Sequence, residues 1–284
     1  MARRKSRRGE AGAGAAPMLR PLRQIRDYAI GATDGDVGEV TDVYFDDHSW
    51  TVRYLVVDTG TWLPGRQVLI SPSAIARVDA AGQRLVTTLS RDRIKDSPGI
   101  DEAKPVSRQL EISFYGYYGY PFYWTGPYRW GATPYPLLGM PPMPPRSSAA
   151  EETAARAREA GDPSLRSANE VAGYGISATD GDLGHVEDYL IDEASWAIRY
   201  LVIDPRNWWP GAHVIIPAEW IERVDWHAGK VAVNVTRQQV KDAPEYRPAP
   251  TLGRDYEMLL YGHYGRPGYW DRAPEQWRIW PPAA

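Results

Sequence analysis

Apolar residues in this chain come in short runs, broken every few positions by glycine, proline or aspartate. That rhythm predicts strands joined by tight turns rather than long helices. In the first half, residues 24–30 read as a strand and Asp34-Gly35-Asp36 as a turn, whose glycine supplies the backbone freedom a hairpin needs. Strands follow over 38–45, 50–58, 66–71 and 83–89, with a polar turn from Asp46 to Ser49, a loop at 60–65 and one helical turn at 73–76. Ser90 and its later counterpart Thr236 stand where N-caps belong, ahead of short helices over 91–95 and 237–241. The third strand is apolar on both faces, so Arg53 within it needs a partner. If Asp46–Ser49 is a four-residue hairpin loop, Asp42 falls opposite Arg53, and in the second half Asp188 falls opposite Arg199. Asp42–Arg53 and Asp188–Arg199 are therefore expected as structural cross-strand ion pairs.

The second half repeats the first at a constant offset of 146 residues, without a gap. Thr33-Asp34-Gly35-Asp36-Val37-Gly38 returns as Thr179-Asp180-Gly181-Asp182-Leu183-Gly184, and Arg53-Tyr54-Leu55-Val56-Val57-Asp58 as Arg199-Tyr200-Leu201-Val202-Ile203-Asp204. About 40 of the 97 aligned positions from Tyr28 to Trp124 are identical to their counterparts, which establishes a tandem duplication. After each strand set, a helix start (Ser107-Arg108-Gln109-Leu110-Glu111; Gly253-Arg254-Asp255-Tyr256-Glu257) runs into a Tyr-Gly-x-Tyr-Gly-x-Pro-x-Tyr-Trp segment. The predicted fold is mainly β: two tandem small β-barrels, each followed by a short helix and an aromatic-proline arm. The predicted organisation is a disordered basic arm (1–20), repeat 1 (21–124), a proline- and alanine-rich linker (125–164), repeat 2 (165–272) and a tail (273–284).

Composition sharpens this picture. The chain has 284 residues, no cysteine, 12 Trp and 18 Tyr against 3 Phe. The missing cysteines exclude a disulfide scaffold, a thiol nucleophile and thiolate metal sites. No run approaches the length of a membrane helix, and residues 1–17 carry no apolar signal core, so a cytoplasmic location, or one peripheral to a membrane, is expected. Five of the first eight residues (Arg3, Arg4, Lys5, Arg7 and Arg8) are cations, while the rest of the chain holds 28 basic and 36 acidic side chains. A basic arm on an acidic body can touch phosphate on an anionic membrane or RNA.

Little of the remaining pattern points to catalysis. His48, His185, His213, His227 and His263 are each absent from the other repeat, and none has a zinc-site spacing. Asp34-Gly35-Asp36 lacks the further ligands of a calcium loop. The glycines at 116 and 119 lack a phosphate-loop context. No enzyme activity, metal or cofactor is expected. The aromatics are the stronger candidates. Trp62, Trp208 and Trp209 sit in turns beside Pro-Gly, and Tyr115, Tyr118, Tyr123, Trp124, Tyr261, Tyr264, Tyr269 and Trp270 lie in the arms. They are expected either to fold back on the barrels or to bind a protein partner.

The order T-D-G-D-x-G-x-V-x-D, then R-Y-L-V-[VI]-D, then a W-x-P-G loop resembles the PRC-barrel domain, over about residues 22–98 and again over 168–244. That family includes the cytoplasmic domain of the photosynthetic reaction-centre H subunit and the C-terminal domain of the ribosome maturation factor RimM. The resemblance implies a small β-barrel used for binding or assembly, with no shared catalytic residues. This chain has neither the membrane helix of the first relative nor the different N-terminal barrel of the second. The expected function is thus a non-enzymatic adaptor that docks an unidentified protein partner, or a second copy of itself as a homodimer, through Trp loops and aromatic arms. The alternative is a peripheral accessory at an anionic surface, like a reaction-centre component of the photosynthetic light reaction or a ribosome-assembly factor.

Overall fold

The computed structural model describes residues 18–100, 106–137, 164–205, 209, 213–249 and 251–272. The basic residues Arg3, Arg4, Lys5, Arg7 and Arg8, and Trp208, lie outside them. Repeat 1 contributes β1 (Leu19–Pro21), β2 (Ala29–Ala32), β3 (Gly35–Asp46), β4 (Thr51–Asp58), β5 (Gln67–Ile70), β6 (Ile75–Asp79) and β7 (Arg84–Thr87). Repeat 2 contributes β8 (Leu165–Ser167), β9 (Gly175–Ala178), β10 (Gly181–Asp192), β11 (Ala197–Asp204), β12 (Val214–Pro217), β13 (Ile221–Asp225) and β14 (Lys230–Val233). The chain is mainly β, in two tandem units of seven strands. Within repeat 1 the ladder runs β5-β4-β3-β2-β7-β6, and in repeat 2 β12-β11-β10-β9-β14-β13; only β2–β7 and β9–β14 are parallel.

Local chemistry explains most of the elements. Ser90 Oγ accepts from the Arg93 amide and Thr236 Oγ1 from the Gln239 amide, capping the helices Arg91–Lys95 and Arg237–Lys241. Two expectations differ. Residues 24–30 are not one strand: Leu22–Ile25 is a helical turn, Asp27 takes a left-handed φ of 74°, and only Ala29–Ala32 is extended. The helical turn expected at 73–76 is Pro72–Ala74, and Ile75 and Ala76 instead begin β6, whose exposed Arg77 interrupts the apolar pattern of a strand.

Gly38 and Gly184 mark where β3 and β10 turn closely past a neighbouring strand. A Cβ at either would land on a backbone carbonyl oxygen, that of Asp58 or Asp204. Backbone cannot step aside as a flexible side chain can. Gly38→Ala is expected to cost at least about 2 kcal/mol, seen as a lowered thermal midpoint. An unchanged midpoint would show that the strand crossing is looser than described.

Bulges decide the register around Arg53. Asp46 pairs with Thr51 and Phe45 with Val52, but Tyr44 then pairs with Tyr54, leaving Arg53 as the extra residue; Arg199 is the extra residue between Ile198 and Tyr200 in the same way. A further bulge sets Asp42 opposite Val56. The expected pairs Asp42–Arg53 and Asp188–Arg199 are therefore corrected. Arg53 Nη2 meets Asp46 Oδ2 at 3.3 Å, and Arg199 Nη2 meets Asp192 Oδ2 at 3.1 Å. A simple hairpin register assumes no bulge, and these strands hold two.

The two units join edge to edge and exchange their first strands. Thr51 of β4 bridges Ala197 of β11; the Val52 amide donates to Trp196 O at 2.9 Å, and the Ile198 amide to Trp50 O at 2.7 Å. β1, at the start of repeat 1, pairs with β10 of repeat 2, and β8, at the start of repeat 2, pairs with β3 of repeat 1. Leu19 and Arg20, assigned by sequence to a disordered arm, are thus strand. Trp50 and Trp196 are buried at the junction, and Phe45 stacks on Trp50 at 5.2 Å while touching Tyr189 of the other unit at 6.2 Å. One apolar core spans both repeats.

Candidate functional site

The helices Arg108–Tyr118 and Arg254–Tyr264 each end at a left-handed glycine, Gly119 and Gly265, which turns the chain back over its own strands. A polar knot holds each helix down. Glu111 is fully buried and accepts from Tyr54 Oη at 2.9 Å, Tyr123 Oη at 3.0 Å and Arg108 Nη1 at 2.6 Å. Glu257, equally buried, accepts from Tyr200 Oη at 2.8 Å and ion-pairs with Arg254 at 3.0 Å. Burial pushes both carboxyls up, Glu111 to about 7, against the opposing charge of Arg108 for Glu111 and of Arg254 for Glu257 and the tyrosine hydrogen bonds.

Arginines and aromatics alternate above each knot. Arg53 lies 3.7 Å over the Tyr123 ring and Arg108 4.1 Å over Trp124; in repeat 2, Arg199 lies 3.9 Å over Tyr269 and Arg254 4.0 Å over Trp270. Sequence reading offered Tyr115, Tyr118, Tyr123, Trp124, Tyr261, Tyr264, Tyr269 and Trp270 as partner-binding residues. Of the two arrangements expected for them, the structure shows the one folded back on the barrels. Tyr115, Tyr118, Tyr123, Tyr261 and Tyr269 are buried, and Trp124, Tyr264 and Trp270 are half-buried against the core. Their rings pack on each other and on strand residues: Phe114 meets Tyr54 edge-on at 5.2 Å, and Tyr118 stacks on Tyr120 at 5.4 Å. Half the residues from Phe114 to Tyr135 are aromatic because the arm forms a second core layer.

The Trp loops are partly covered as well. Trp62 is half-buried with Arg91 over its ring at 4.7 Å, and Trp209 is half-buried with its amide donating to Pro205 O at 3.0 Å. The linker is less of a spacer than its prolines imply. Its first part puts Arg129 and Trp130 at the junction between the repeats, where both are buried. Arg129 donates to the Ser49 carbonyl and Thr51 Oγ1, and Trp130 Nε1 to the Ser195 carbonyl at 2.8 Å.

Asp42 and Asp188 receive the exchanged segments instead of Arg53 and Arg199, and Asp188 Oδ2 also lies 3.5 Å from Arg23 Nε. Asp42 accepts from Ser167 Oγ at 2.6 Å and the Asn169 amide at 3.1 Å, and Asp188 from the Arg23 amide at 3.0 Å. Each thus caps the helical turn that follows the other repeat's crossing strand.

One described group brings several ligand-type side chains together, Asp46, Asp47 and His48. Asp46 is already spent on Arg53, and Asp47 meets Arg166 Nε at 3.0 Å. The largest exposed apolar side chains among the described residues are elsewhere. Met258 is 58% and Leu259 65% exposed on the helix Arg254–Tyr264, whereas Ile112, the counterpart of Met258, is 9% exposed. Only the Ser113-to-Leu259 difference between repeats hinted at this patch, and sequence does not say which way a helix faces.

Residues 22–94, covering strands β2–β7 and the first capped helix, match the profile of the PRC-barrel domain. Over that stretch, repeat 1 is similar to the PRC-barrel domain. A Deinococcus radiodurans protein, itself uncharacterised, is 32% identical over 107 residues, which is 36% of this chain. The chain spans 37% of that relative's length. Repeat 2 shares the strand order, both bulges and the buried Arg–Tyr–Glu knot of the PRC-barrel repeat. The PRC-barrel domain points to a binding or adaptor role in general. No helix among the described residues is long and apolar enough to cross a membrane.

Proposed function

We propose that this protein is a non-enzymatic adaptor in which two PRC-barrel repeats act as one body and hold a protein partner on the outer face of the second repeat's helix. The carrying observation is the asymmetry between the repeats: the helix position filled by covered Ile112 in one is filled by exposed Met258 in the other, with Leu259 beside it. Among the described residues these two are the most exposed of the large apolar side chains, and they are adjacent, which makes this pair the surface we assign to recognition. Loop residues Trp62 and Trp209 are the next candidates, since both keep part of their surface in water.

The test compares wild type with a Met258→Glu/Leu259→Glu chain and with Trp62→Ala/Trp209→Ala, by cross-linking in the native cell and mass spectrometry. Loss of the cross-linked partner in the first variant, at an unchanged thermal midpoint, is the expected result. Retention in both variants would remove the docking role.

A second reading rests on charge. Five cations in residues 1–8, ahead of a body rich in carboxylates, favour contact with an anionic surface such as membrane or RNA. Such binding should weaken steeply between low and moderate salt and disappear on deleting residues 1–8. Salt-independent binding would refute it.

A further inference from the structure

The junction between the repeats is self-complementary. β1 lies on β10 as β8 lies on β3, and residues 146 apart play equivalent roles. The Asp47 amide donates to Ser164 O and the Glu193 amide to Met18 O; Arg166 pairs with Asp47 and Arg20 with Glu193; Asp42 caps one crossing turn and Asp188 the other. This is the pattern of an isologous dimer interface, in which one surface meets its own copy about a two-fold axis. Here both surfaces sit on a single chain.

We propose that this seam is a self-association surface: repeat 1 recognises repeat 2 without the covalent linker, and accepts it equally from a second copy of the chain. Within one chain the linker raises the effective concentration of the second repeat, which favours the closed form over exchange between chains. When exchange occurs, repeat 1 of one chain closes on repeat 2 of the next, and a two-chain ring satisfies every seam.

The axis itself selects unlike halves. Trp130 of repeat 1 reaches across to the Ser195 carbonyl, while Arg129 takes the equivalent Ser49 carbonyl on its own side. Arg53 stands 4.9 Å from the Trp130 ring, so the indole fills the space between the two units. In a pairing of two copies of repeat 1, the second Trp130 would aim at a Ser49 carbonyl that Arg129 already holds. Pairing of repeat 1 with repeat 2 is therefore favoured over like with like.

The test uses the full chain, with a protease site inserted between residues 138 and 163, folded first and cut afterwards. The halves are expected to co-elute as one particle with the mass of the uncut chain. Separation into two free halves, or precipitation, would overturn the proposal. Cut preparations carrying different isotope labels, mixed, unfolded and refolded, are expected to yield pairs of repeat 1 and repeat 2 with the labels scrambled. Like-with-like pairs at equal abundance would overturn the selectivity assigned to Trp130. Asp42→Ala with Asp188→Ala, which leaves the strands in place, is expected to raise the dissociation constant of the cut halves by about tenfold or more. An unchanged constant would show that the crossing segments do not carry recognition.

Discussion

Asp192→Ala is expected to lower unfolding stability by about 3–5 kcal/mol, read as a shifted denaturant midpoint at constant slope. Asp192 and Arg199 are both buried, with Arg199 Nη2 3.1 Å from Asp192 Oδ2. Burial alone would raise the Asp192 pKa. The Arg199 charge, the Ser195 hydroxyl and the Ala194 amide outweigh it and hold the carboxyl below its ordinary value. Arg199 shifts the other way: burial disfavours its charge, but Asp192 more than restores it. Alanine would leave the guanidinium in a low-dielectric site, facing the Tyr269 ring and close enough to Arg129 to repel it. Because the folded pKa of Asp192 is depressed, its contribution is present above the ordinary carboxylate value and disappears as pH falls through the lower, folded one. Asp188→Ala removes the acceptor of the Arg23 amide and the partner of an Arg23 guanidinium that is open to water, not of a buried one, and should cost only about 1 kcal/mol. Equal losses in the two variants would contradict the assignment of Asp192 as the partner of Arg199.

The second large effect concerns pH in the opposite sense. Glu111 has its pKa raised by burial to about 7 in the folded chain, against an ordinary 4.5. Between these values the folded state holds a proton that the unfolded state has lost. Stability from this group is therefore full below pH 4.5 and falls as pH rises to about 7, by about 3 kcal/mol in all. Glu257 is raised by burial too and adds to the fall. Glu111→Gln keeps an acceptor for the Tyr54 and Tyr123 hydroxyls but cannot ionise. Chemical denaturation at pH 5 and pH 8 should show the variant losing markedly less stability than wild type across that interval. An identical loss in both chains would mean that Glu111 stays ionised in its knot.

Legibility followed the range of the interaction. The strands at 38–45, 50–58 and 66–71 and the caps at Ser90 and Thr236 all depend on neighbours within a few residues, and all are found. The ion pairs were half legible. Arg53 and Arg199 do need acidic partners, and Asp46 is repeated as Asp192, but a hairpin count cannot foresee a bulge that depends on how two strands coil. The aromatic arms were equally open in sequence to inside and outside, because a Tyr- and Trp-rich stretch suits a core layer and a docking surface alike. The Glu111 and Glu257 knots carried one signal, the recurrence of Arg-x-x-Glu with Tyr54/Tyr200 and Tyr123/Tyr269, which duplication alone makes visible.

By itself, the sequence determined the duplication, the mainly β class, the position of most strands and turns, and the resemblance of repeat 1 to the PRC-barrel domain. Tertiary structure alone decided that β1 and β8 cross to the opposite repeat, that Asp42 and Asp188 receive them, that the aromatic arms turn inward, and that Met258 and Leu259 face water. The physical reason is distance. Strand period, turn chemistry and caps act between residues close in the chain, whereas a covered ring meets strands dozens of residues away and an exchanged strand meets its partner more than a hundred residues away.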